Sequence, residues 1–263
     1  MSIFHEQAFI VLHGLNALHD ADRTLLMGPS RGTYGGFEDA YSVEEMLSLS
    51  SGTSGTIKLA PQSHDPVLFA RSVNALMQCG YSVKFADLNH DMRVTATPFR
   101  ELLADGSRKN LDRCWRAGYT SRVLKESEWP QGHELVRWQR MQKGIEFSMT
   151  FAQWLEMRTL FPTRVWMMGT FADNGVLVAA GMLVAVRSDI LYVYAWDGIH
   201  DANAPTVHLA GAIYGYAQEH KFRLLDAGTS TLNGSSEGKE GLIFFKEALG
   251  FLPCLKLTMR RNA

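Results

Sequence analysis

The chain reads as a mixed α/β protein on three observations. Apolar runs of strand length alternate with stretches of helical period through the N-terminal half. The Asp173-Asn-Gly175 step joins two strand-like runs in the manner of an antiparallel hairpin. The second half then follows the order helix, three strands, helix, strand, helix, strand.

Each element has its own justification. Arg23 to Gly28 is strand-like and leads into Gly28-Pro-Ser-Arg-Gly-Thr-Tyr-Gly-Gly-Phe37, where Tyr34, Gly35 and Gly36 let backbone approach a ligand closely. Ser42 and Glu45 have the spacing of a capping box, so a helix is expected there. A strand over Thr56 to Ala60 comes next. Asp65-Pro66 starts a further helix, with Asp as N-cap and Pro at the first helical position, and Gly80 ends it. Tyr81 to Leu88 and Met92 to Ala96 are expected as a pair of strands, and Phe99 to Ser127 as initially helical. Helices over Glu134 to Lys143 and Phe151 to Phe161 precede strands over Arg164 to Phe171, Gly175 to Val186 and Ile190 to Trp196. A helix over Pro205 to His220, a strand over Phe222 to Asp226, a short helix around Lys246 and a strand over Pro253 to Met259 close the chain.

Composition sets outer limits. With 263 residues the length suits one large domain or two of half that size. The balance of 26 basic against 27 acidic residues removes the bulk electrostatic reason to expect a general nucleic-acid binder. Cys79, Cys114 and Cys254 are odd in number and lack paired spacing, which suggests a reducing compartment and no zinc or redox motif. No leader-like segment opens the chain and no apolar stretch reaches membrane-spanning length, so a cytoplasmic location without membrane insertion is expected.

The most informative stretch runs from Phe222 to Phe251. A strand enters Asp226-Ala-Gly-Thr-Ser230, and the following helix places Lys246 on the face shared by Leu242, Phe245 and Leu249. An ammonium group there either snorkels to water or meets an anionic group. Elsewhere, Lys109, Arg113 and Arg116 fall within about 60° on a helical wheel, forming either a solvated face or a site for phosphate or carboxylate.

The order of elements, with Asp226-Ala-Gly-Thr-Ser230 followed by Gly241-Leu-Ile-Phe-Phe-Lys246, resembles the FemABX-like branch of the GNAT acyltransferase superfamily. The Gly28 to Phe37 loop, the Arg108 to Gly118 helix and the Asn203-Ala-Pro205 helix start occur where that family has similar pieces. The resemblance implies two tandem GNAT-like lobes, 1–125 and 126–263, with a cleft between them. It also implies transfer of an acyl group from acyl-CoA to an amine of a small molecule or of a cell-envelope or polysaccharide precursor. The alternative donor is aminoacyl-tRNA, as in FemABX-type transfer to a peptidoglycan-like precursor. A second alternative is a degenerate GNAT pair that binds without catalysing. In the aminoacyl-transferring members an adjacent Phe and Lys contact the donor end and the developing charge, and the matching positions are Phe245 and Lys246. Attack of an amine on an ester or thioester creates an oxyanion, which a fixed cation stabilises more in the transition state than in the ground state.

The segment Asp197 to Thr206 departs from the Gln/Arg-x-x-Gly-x-Gly/Ala pattern that holds a pyrophosphate at a helix N-terminus. Asp226 reads as a base, an orienting carboxylate or a turn former. Thr229 and Ser230 supply hydroxyls to a donor or begin a loop. Tyr192, Tyr194 and Trp196 alternate on one strand face and read first as core. No histidine pattern indicates a metal, and no Gly-x-Ser-x-Gly elbow supports a hydrolase.

Overall fold

A computed structural model describes residues 18–19, 25–28, 42–50, 55–145, 147, 149–201, 203–232 and 235–262. In chain order the elements are β1 (Leu18–His19), β2 (Leu25–Gly28), α1 (Val43–Ser50), β3 (Gly55–Lys58), α2 (Pro66–Gln78), β4 (Ser82–Arg93), α3 (Phe99–Leu102), α4 (Asp105–Arg116) and β5 (Thr120–Val123). They continue as α5 (Trp129–Gln142), α6 (Phe151–Leu160), β6 (Val165–Phe171), β7 (Leu177–Arg187), β8 (Ile190–Gly198), α7 (Pro205–Glu219), β9 (Leu224–Thr229), α8 (Glu240–Ala248) and β10 (Leu252–Arg261).

The chain forms two compact units, each discontinuous in sequence. One comprises Met1–His90, Thr229–Ile243 and Pro253–Ala263; the other comprises Asp91–Gly228 and Phe244–Leu252. The lobes expected at 1–125 and 126–263 concern a repeated fold and remain a proposal, since compactness divides the chain along other lines.

In the first unit the strand order is β1-β2-β3-β10-β4. β3 is parallel to β2 and antiparallel to β10, and Met46, Ile57, Leu59, Leu76, Leu257 and Met259 form its core. The start of α2 follows from the sequence. The Asp65 carboxylate accepts from the amides of Val67 and Leu68 at 3.1 and 2.9 Å, and Pro66 occupies a position whose N–H needs no partner.

In the second unit the order is β9-β8-β7-β6-β5, parallel between β9 and β8 and antiparallel thereafter. β7 is apolar and buried over almost its whole length because helices cover both of its faces. A side chain at Gly132 in α5 would meet Ala180, whereas one at Gly181 would meet Leu209 and Ile213 of α7. Ala180 and Gly181 are adjacent on β7 and so point to opposite faces. The antiparallel meander read from Asn174-Gly175 is present, with Gly175 at φ 79°.

The mixed α/β class is the one expected, with local corrections. Within Tyr81 to Ala96 a single twelve-residue strand, β4 (Ser82–Arg93), stands in place of two. The region Phe99 to Ser127 is helical at first, as expected, but the helix breaks at Leu103, whose ψ is 142°, resumes as α4, and gives way to β5, which pairs with β6. Pairing with β6 decided the state of Thr120–Val123, where four residues give only a weak local signal. The strand expected to end at Asp226 runs on to Thr229 as β9.

Candidate active site

Lys246 is positioned by the way α8 ends. The Phe251 amide bonds the Lys246 carbonyl at 3.1 Å and the Gly250 amide bonds the Glu247 carbonyl at 2.9 Å, which together form a Schellman closure. Gly250 is at φ 89°, and a Cβ there would lie 2.8 Å from the Leu102 carbonyl oxygen, so only glycine fits. Leu249 and Phe251 are buried beside Lys246, and the closure holds the lysine in the last turn, where the helix dipole favours a cation.

The ammonium does not reach water. Lys246 is only 2% exposed, and its Nζ donates to the Gly228 carbonyl at 2.8 Å. Gly228 lies at φ 75°, and the Asp226 carboxylate accepts from its amide at 2.8 Å, a contact that fixes the kink. Described pairing between β8 and β9 spans Ile190–Tyr192 against Leu224–Asp226, while β8 runs on to Gly198 and β9 to Thr229. The kinked end of β9 thus turns a carbonyl toward the lysine.

Burial pushes the Lys246 pKa down to about 7, the Asp226 carboxylate works against that shift, and the Arg140 guanidinium adds to it. Asp226 itself is fully buried. Its visible role is to hold the Gly228 turn and support the neighbouring positive charge.

Aromatic side chains surround this point. A Cβ on Gly228 would sit 3.4 Å from Tyr192 Cε2 and 3.5 Å from its hydroxyl, ordinary contact distances that place the tyrosine ring directly beside the glycine. The β7–β8 register slips by one residue between Val193 and Ala195, which leaves Tyr194 on a bulge. The expectation of one aromatic face on β8 is corrected accordingly. Tyr192 and Tyr194 stack edge-on at 6.2 Å, with Trp154 at 6.0 Å and Phe147 at 6.4 Å from Tyr194. Trp196 instead joins the core with Phe245 and Phe251, at 5.9 and 6.1 Å.

The remaining expected residues fall into separate places. Phe245 is half-buried against Trp196. Ser230 is fully buried, its hydroxyl 2.9 Å from His90 Nδ1, while Thr229 is half-buried at the end of β9. Lys109, Arg113 and Arg116 lie exposed along α4, where Arg113 donates to Asn110 and Arg116 to the Asp112 carbonyl. Tyr34, Gly35 and Gly36 lie outside the described residues. Sequence reasoning missed Arg140 altogether, although its place one turn before Gly144 was the available signal. Among the described residues no group of side chains is arranged to hold a metal ion, and no helix is long and apolar enough to cross a membrane.

The start of α7 has its own anion. Asp201 Oδ1 accepts from the amides of Asn203 and Ala204 at 2.8 and 3.0 Å, and Oδ2 accepts from the Tyr119 hydroxyl at 2.8 Å. Pro205 removes a further N–H from the first turn. A carboxylate therefore occupies the end of the helix that would otherwise attract a phosphate.

Comparison with known proteins places this architecture. No protein-family model matches the sequence and no curated protein matches it. Among solved structures, FemX superposes with a TM-score of 0.62 at 11% identity, over 78% of this chain and 71% of that one. L-PGS from Bacillus licheniformis gives 0.58 at 13% identity over 92% and 82%. The C-terminal domain of a putative lysylphosphatidylglycerol synthetase from Agrobacterium fabrum gives 0.54 at 14% over 81% and 69%. The chain thus shares its fold with FemX and with these two structures, in keeping with the FemABX-like resemblance read from the sequence.

Proposed function

We propose that the chain is an acyltransferase that moves an acyl or aminoacyl group onto an amine by direct attack. The observation that carries this reading is the buried ammonium of Lys246, fixed against Gly228 and next to Asp226 in a fold shared with FemX. As the amine nitrogen bonds to the carbonyl carbon, the carbonyl oxygen takes up negative charge, and Lys246 stabilises it. Collapse of that oxyanion breaks the C–S or C–O bond, and the proton lost by the amine ends on the leaving thiolate or alkoxide. Phe245 is assigned to the donor end, Thr229 and Ser230 to hydroxyl contacts with the donor, and Asp226 to orienting the lysine. Tyr34, Gly35, Gly36 and the Lys109, Arg113 and Arg116 stripe are assigned to the acceptor, a small-molecule or envelope-precursor amine.

Two donors fit the chemistry. Acyl-CoA is the general GNAT donor and remains the first reading. Aminoacyl-tRNA is the second, and Asp201 favours it, because its carboxylate repels a pyrophosphate at the start of α7. The deciding experiment supplies acetyl-CoA, a long-chain acyl-CoA or charged tRNA with mixed amines, and measures thiol release and acylated product by mass spectrometry. Thiol release supports acyl-CoA, and product from charged tRNA alone supports the second donor. No product from any donor defeats the transferase reading and leaves a binding module.

A further inference from the structure

Lys246 is not the only cation held in this way. α5 also ends in a Schellman closure, with the Ile145 amide on the Arg140 carbonyl at 2.9 Å, the Gly144 amide on the Met141 carbonyl at 3.0 Å, and Gly144 at φ 66°. Arg140 thus occupies on α5 the position that Lys246 occupies on α8. Lys143 Nζ pairs with Asp197 Oδ1 at 2.6 Å and ties this helix end to the end of β8.

The Arg140 guanidinium lies 5.5 Å over the Phe147 ring. Phe147 packs on Tyr194, Tyr194 on Tyr192, and the Tyr192 hydroxyl lies beside Gly228, whose carbonyl holds Lys246. A continuous aromatic wall therefore joins the two cations within one compact unit. Every other arginine of α5 and α6 is differently engaged, Arg137 by Glu134 at 2.6 Å and Arg158 by Glu126 at 2.9 Å. Arg140 has no carboxylate partner among the described residues. Trp154, which packs on Tyr194, likewise has a buried indole N–H with no acceptor among the described residues.

We propose that Arg140 is a substrate-binding residue that pairs with an anionic group, a carboxylate or a phosphate, on the substrate presented to Lys246. The inference rests on the transferase reading for the identity of the reaction, but not for the anion site itself. A planar guanidinium with a free fork takes either anion in bidentate fashion, and an aromatic face beneath it fixes the plane while keeping water to one side. A bound anion also offsets the repulsion between Arg140 and Lys246 that helps to depress the lysine pKa. Substrate binding would then return the ε-proton that the oxyanion requires. Such a site selects substrates that carry a negative charge near the reacting amine or ester.

The test uses the full chain and needs no turnover. Inorganic phosphate and acetate, titrated separately by calorimetry, distinguish the two anion classes. Arg140→Gln is expected to weaken the better anion at least tenfold, while Arg137→Gln, on the same helix, changes it less than twofold. In parallel, the pH midpoint of the Lys246 side-chain NMR signal, which reads a buried amine without a reagent, should move upward in Arg140→Gln and upward in the wild type on anion binding. Absence of binding to the wild type, equal loss in both variants, or an unmoved NMR midpoint overturns the proposal. Should the anion site pass while no donor yields product, the transferase reading fails and the site stands.

Discussion

Replacing Lys246 with Met separates chemistry from packing, because Met keeps an unbranched apolar stem and removes only the charge. Two opposing effects set its influence on stability. Lowering the lysine from its ordinary 10.5 to about 7 means that the folded chain pays up to about 5 kcal/mol to keep the group charged at acid pH. Loss of the bond to the Gly228 carbonyl opposes this by about 1–3 kcal/mol. The variant should therefore be at least as stable as the wild type near pH 6. The pH dependence is the sharper signature. Between about 7 and 10.5 the unfolded chain retains the proton that the folded chain has released, so unfolding takes up a proton and wild-type stability rises with pH across that window. Relative to the variant, the wild type should gain about 2 kcal/mol between pH 7 and pH 9. Urea unfolding of both proteins at pH 6, 7, 8 and 9 measures it. Turnover in the variant should fall about 10²–10³-fold, the usual effect of removing one oxyanion donor. A variant with the wild-type pH profile of stability would show that the ammonium is solvated, and one with wild-type turnover would remove Lys246 from the reaction.

Because the oxyanion needs protonated Lys246, kcat should decline on the alkaline side as pH rises through about 7, with a higher midpoint when substrate is saturating and anionic; pH–rate profiles of kcat and kcat/KM check this. Asp201→Ala uncaps α7 and should lower stability by about 1 kcal/mol. The same change should strengthen binding of inorganic pyrophosphate, measured by calorimetry, by exposing amides to it. Gly169→Ala places a Cβ 2.6 Å from both Leu124 Cδ2 and Leu177 Cδ1, and by overpacking should destabilise by about 1–3 kcal/mol in urea unfolding.

What could be read from the sequence were features in which one residue type enforces one local geometry. Asp65-Pro66 sets a helix start by cap and fixed φ, Asn174-Gly175 sets a hairpin, and the apolar run around Lys246 sets a short helix, and each of these has its place in the fold. The spacing also put Leu242, Phe245, Lys246 and Leu249 on one face, and the structure buries Lys246 and Leu249 fully and Leu242 and Phe245 in part. Features that depend on a partner distant in the chain remained hidden. Thr120–Val123 is a strand because β6 lies beside it, and Tyr194 leaves the face of Trp196 because β7 imposes a one-residue slip. Arg140 and Lys246 lie over a hundred positions apart, and nothing local to either encodes their common aromatic wall. Local sterics and capping are properties of a few adjacent residues, so the sequence alone determined them. The environment of a charge is the sum of whatever the fold packs around it, and only the tertiary structure decided that Lys246 is dry, lowered to about 7, and turned toward Gly228.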